Sequence, residues 1–95
     1  MNQLGLDALG YTQVTNVSAA TGVGTIPAGT EVVMLQCETQ NVRFRDDGTS
    51  PTASVGMLLV TNTIYTFTAS NVAAMKFIET TASAKLNILF YGRKA

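Results

Sequence analysis

Gln40-Asn-Val-Arg-Phe-Arg-Asp-Asp-Gly-Thr-Ser-Pro-Thr-Ala-Ser-Val-Gly56, followed by Met57-Leu-Leu-Val60, is the stretch whose reading decides the fold. It opens in strict alternation, with Val42 and Phe44 on one side and Arg43 and Arg45 on the other. A two-residue period is that of a half-buried strand. Asp46-Asp47-Gly48 ends the strand, because Asp bonds to its own backbone and Gly takes positive φ without steric cost. Thr49–Ser54 is too long and polar for a two-residue hairpin, and Pro51 holds Ser50 extended. Val55–Val60 is expected to return as a buried strand. Strand, ordered polar loop and strand make one unit of an antiparallel sheet.

The same patterns continue on both sides. Tyr11–Val17 is rich in β-formers and is expected to form the first strand. Ile26-Pro-Ala-Gly-Thr30 is a turn that launches Glu31–Glu38, whose alternation assigns Val33, Leu35 and Cys37 to the core. Val32, Met34, Gln36 and Glu38 fall on the opposite face, which is therefore partly apolar. Thr63–Thr68, Met75–Glu79 and Ala84–Tyr91 complete the strands. In the last, Leu86, Ile88 and Phe90 share one face and Lys85, Asn87, Leu89 and Tyr91 the other. Val72–Ala74 has room for one helical turn capped by Ser70 or Asn71, too short to stand alone. About seven short strands without a convincing helix predict an all-β, antiparallel β-sandwich or barrel. The expected organisation is an N-terminal arm over residues 1–10 and a single β domain over 11–95. Leu4, Leu6 and Leu9 of the arm have no clean period; they pack on a neighbouring subunit, pack under their own sheet, or fray.

Composition narrows the function classes. Of the 95 residues 46% are hydrophobic and only 13% charged, so the surface must be covered largely by Thr, Ser, Asn and Gln. Formal net charge is zero and the six basic residues are scattered, whereas phosphate binding wants a basic stripe; no nucleic-acid partner is expected. No segment approaches the length of a membrane span, and the N-terminus lacks the charge and apolar core of a secretory signal. Production in the cytoplasm without general secretory export is the expectation. Cys37 is the sole cysteine and the chain has no His, so there is no intrachain disulfide, no activated thiol pair and no Cys/His zinc site. Asp46 and Asp47 are two adjacent oxygen donors where a calcium loop spaces several, and turn formation with Arg43 or Arg45 accounts for them. Nothing brings two carboxylates together for acid/base work, so neither an enzyme nor a bound cofactor is expected. A small carbohydrate-binding sandwich is the competing class; such sites present exposed aromatics, and the chain offers Tyr11, Tyr65 and Tyr91 but no Trp.

The outward apolar residues carry the sharpest expectation. Val32, Met34, Ile78, Leu89 and Tyr91 would leave an isolated subunit with much exposed apolar surface, so they are expected at an oligomer interface, the alternative being cover within the subunit by the N-terminal arm or the second sheet. A domain this small, with no disulfide, gains stability by burying more surface against copies of itself.

The string Glu38–Met57, with Arg43, Arg45, Asp46, Asp47, Gly48, Pro51 and Gly56, resembles small virion proteins of tailed bacteriophages. So does the closing pattern Met75–Glu79 and Ala84–Tyr91; the likeness covers about residues 26–92. It implies a head decoration (cement) protein: a jelly-roll Greek-key sandwich that trimerises on the capsid surface of the virion and binds the major capsid protein. Relatives of this kind also serve in the neck or tail. In that setting Leu4, Leu6 and Leu9 become a capsid-contact arm.

Overall fold

The computed structural model describes residues 5–93. It is an all-β structure of two antiparallel sheets, with strands β1 (Asp7–Val14), β2 (Thr30–Glu38), β3 (Val42–Arg45), β4 (Met57–Leu59), β5 (Tyr65–Thr68), β6 (Lys76–Glu79) and β7 (Lys85–Gly92). One sheet has the order β1-β7-β2-β5 and the other β4-β3-β6. Consecutive strands β2 and β3 lie in different sheets, as do β4 and β5, which is the crossing pattern of a Greek-key sandwich. Beside β6, Thr21 and Phe77 exchange backbone hydrogen bonds of 3.0 and 2.7 Å. Counting that bridge as a rudimentary extra strand gives both sheets the alternating order of a jelly roll.

Alternation fixes which side of each strand is buried. Val33, Leu35 and Cys37 of β2 and Leu86, Ile88 and Phe90 of β7 face inward from the larger sheet. They meet Val42 of β3, Leu59 of β4 and Phe77 of β6 from the smaller one. Phe44 of β3 reaches across to Phe67 of β5, edge to face, with ring centroids 5.5 Å apart. Val17, Val23, Val72 and Met75 belong to the same core.

Four expectations need correction. The first strand begins at Asp7, not Tyr11, so residues 7–10 belong to the sheet and not to a separate arm. A bulge between Ala8 and Gly10 breaks the alternation and hides the strand's start. Val17, expected at the end of that strand, has left it and is buried in the core. A helix, α1, spans Ala69–Ala74; Thr68 caps it by accepting from the Asn71 N–H, and Val72 is fully buried beneath it. Tertiary burial of Val72 holds a segment that propensity alone would not. Finally, the return strand is confined to Met57–Leu59, and of the apolar residues in 55–60 only Leu59 is buried. β4 lies at a sheet edge, where a strand has a neighbour on one side only.

Candidate functional site

The Asp-Asp-Gly loop is held by its own side chains. Arg45 grips Asp47 in a fork, Nε to Oδ1 at 3.0 Å and Nη2 to Oδ2 at 2.6 Å. That hydrogen bond holds the Asp47 carboxyl below the usual carboxylate range. Asp46 Oδ2 accepts from Asn71 Nδ2 at 2.8 Å, tying the loop to α1. Among the described residues Arg43 pairs with no carboxylate; its guanidinium donates to the carbonyl oxygens of Ala53 (3.1 Å) and Gly56 (2.9 Å). Pro51 is buried, and Thr52 and Val55 form a small bridge at the loop's tip. Gly48 sits at φ 88° where the chain turns. Each carboxylate of the loop thus has a protein partner. Among the described residues no group of three or more His, Cys, Asp or Glu side chains is placed to hold a metal ion.

Of the five residues expected at an interface, four lie together. Cross-strand register puts Tyr11, Leu89, Met34 and Thr66 in one row on the outer face of the larger sheet. Ala8, Tyr91, Val32 and Thr68 form the next. Val32, Met34, Leu89 and Tyr91 are all half-buried there. Ile78 is elsewhere, on the outer face of the smaller sheet in register with Arg43 and Leu58. Leu6 is buried and Leu9 packs against the core cluster, while Leu4 lies outside the described residues.

Sequence reasoning missed the most exposed apolar surface. Met57 (66% exposed), Ile64 (61%), Val55 (54%), Val60 (46%) and Leu58 (41%) all come from one ten-residue segment. It runs along edge strand β4 and up to β5, the edge of the other sheet. The signal was present as a β-rich run following a glycine. Its exposure depends on β4 being an edge, which no local pattern states.

A polar cluster completes the outer face of the larger sheet. Asn87 Oδ1 accepts from Tyr11 Oη at 2.7 Å and from Gln13 Nε2 at 2.8 Å. Asn87 Nδ2 donates to Glu38 Oε2 at 2.6 Å. Beside it, Met34, Gln36, Ile64, Asn87 and Leu89 border a small apolar depression. Tyr11 is 58% exposed. Among the described residues no helix is long and apolar enough to cross a membrane.

Comparison with known protein families, curated proteins and solved structures gives no match.

Proposed function

We propose that this protein is a structural component of a phage particle, decorating and stabilising the capsid by binding the major capsid protein as a homo-oligomer. The observation that carries the reading is the set of exposed apolar side chains Val55, Met57, Leu58, Val60 and Ile64, all within one ten-residue segment at the sheet edges, since exposed apolar surface marks contact sites. Low net charge suits a contact that does not rely on ionic steering. A protein that binds only the assembled shell stabilises it by mass action. The resemblance implies binding at the capsid surface as a trimer, with a neck or tail position as its alternative.

Co-sedimentation with purified phage heads tests the reading. The full chain is expected to pellet with the heads, and a Met57→Ser, Leu58→Ser, Val60→Ser, Ile64→Ser variant to fold normally yet stay in the supernatant. Wild-type chain left in the supernatant at saturating concentration would remove the capsid role. Because Asp7–Gly10 are part of β1, a deletion probing the arm's contribution stops at residue 4.

A carbohydrate-binding role is the second reading, and Tyr11 favours it: an exposed ring beside the amide of Asn87 is the combination that stacks on and hydrogen-bonds a sugar. A glycan array with the soluble chain separates the two, since a purely structural component leaves every spot blank.

A further inference from the structure

A sandwich of two open sheets has four edges, and in this molecule three of them are managed. The β6 edge is covered by the segment Val17–Thr21, through the Thr21–Phe77 bonds and a Glu79 N–H to Val17 carbonyl bond of 2.9 Å. The β4 and β5 edges are three and four residues long. Short, covered or charged edges are the usual protection against pairing with other chains. The β1 edge is eight residues long and, beyond Asp7 at its start, has none of these. No charged residue occurs from Ala8 to Thr30. The bulge lies at one end, which leaves Gly10–Val14 in unbroken register with β7. In an antiparallel ladder alternate residues turn their N–H and C=O groups to opposite sides. Half of the backbone groups of Gly10–Val14 therefore point away from β7. Among the described residues, none of the turn and loop hydrogen bonds ends on the backbone of residues 7–14.

We propose that β1 pairs antiparallel with β1 of a second copy of this chain, joining two four-stranded sheets into one across a two-fold axis. An identical strand is complementary to this edge by symmetry, since each copy supplies the donors the other lacks. With net charge zero the two copies meet without net repulsion. An axis at Thr12, the centre of the regular segment, sets Tyr11 opposite the partner's Gln13, Gly10 opposite the partner's Val14, and Thr12 opposite its own copy. No like charges face each other, and the exposed ring of Tyr11 gains a cover. The contact goes beyond the capsid reading and does not depend on it: it rests on the backbone of one strand. It is two-fold, so it gives a dimer, or joins two trimers, and does not by itself give a trimer.

Sedimentation of the full chain at micromolar concentration, with residue-resolved hydrogen exchange, tests this. The expected mass is an even multiple of 10.0 kDa. The outward amides of Gly10–Val14 are expected to exchange as slowly as the inward ones. Tyr11→Lys with Gln13→Lys, both at exposed positions, sets Lys against Lys twice across the axis and should halve the mass without lowering the melting temperature by more than a few degrees. Tyr11→Lys with Gln13→Glu sets Lys against Glu and should keep the wild-type mass. A monomer or an odd multiple for the wild type, fast exchange of the outward amides, or equal behaviour of the two double variants would each overturn the pairing. None of these outcomes touches co-sedimentation with phage heads, so the two ideas fail separately.

Discussion

Arg43 donates from Nη1 to the carbonyl oxygen of Gly56 at 2.9 Å, closing the long loop that separates β3 from β4. The same guanidinium reaches Ala53 through Nε, so one cation satisfies two loop carbonyls ten and thirteen residues away. Gly56 is at φ 143°, and a Cβ there would stand 3.1 Å from the Phe44 carbonyl and 3.2 Å from Cβ of Arg43. A side chain here would strain the backbone and require β3 to give by a few tenths of an ångström.

Arg43→Ala should therefore loosen the loop and lower stability. Hydrogen bonds from a charged donor contribute about 1.5–3 kcal/mol each where partly buried, and the lower end applies with solvent near. For a domain of this size a loss of 1 kcal/mol moves the melting temperature by roughly 4–8 °C. Arg43→Lys should recover less than half of the loss, because an ammonium lacks the planar fork that spans two acceptors. Thermal melts followed by circular dichroism give the answer, and an unchanged midpoint for Arg43→Ala would show that the loop closes without it.

Gly92 and Gly29 make the second close approach. A Cβ on Gly92 would run into the carbonyl oxygen of Gly29 and stand 2.8 Å from Cδ1 of Leu9. Gly92→Ala should destabilise by about 1–3 kcal/mol through overpacking. Gly22→Ala is the control: its nearest neighbour is the Met75 carbonyl at 3.6 Å, an ordinary contact, and its melting temperature should stay near wild type. Equal midpoints for the two variants would contradict the close approach.

The periodic strands were legible and the edges were not. In β2 from Val32 onward and in β7 the inward and outward residues follow the sequence alternation, because both strands have neighbours on each side and a buried face that fixes their phase; a register shift between Thr30 and Val32 leaves Glu31 exposed. β1 was misplaced by its bulge, and α1 was reduced to one turn because its helix depends on burying Val72. The apolar run Val55–Val60 looked like a core strand. Composition distinguishes an apolar residue from a polar one but does not say whether a strand has a second sheet above it. Of the Asp-Asp-Gly loop, the pairing of Arg45 with Asp47 was within reach of local reasoning. The turn of Arg43 to Ala53 and Gly56 was not, since it depends on how the loop folds back.

Leu58 and Leu59 make that last distinction measurable in adjacent residues. Leu59 is 1% exposed and Leu58 41%, on opposite faces of β4. Leu59→Ala should cost about 2–5 kcal/mol, the usual range for a buried leucine that leaves a cavity. Leu58→Ala should cost under about 1 kcal/mol. Chemical denaturation of the two variants in parallel decides it, and a reversed order would mean that β4 is out of register by one residue.

Cys37 gives a prediction in pH. Its thiol is fully buried and donates to the Leu59 carbonyl at 3.3 Å. Burial pushes its pKa above the ordinary thiol value. Below that value both folded and unfolded chains keep the proton, and the thiol contributes no pH dependence. As the pH rises past it the unfolded chain ionises first and holds fewer protons than the folded one, so stability falls with rising pH until the folded pKa is reached. Tyrosines and lysines titrate in the same range, and the difference between wild type and Cys37→Ala removes them. That difference should be constant through neutral pH and move against the wild type above about pH 8.5. In the folded protein a thiol reagent should modify Cys37 only as fast as the core opens, with labelling accelerated by denaturant. Rapid labelling in native buffer, or a flat difference up to pH 10, would mean that the thiol is reached from solvent without unfolding.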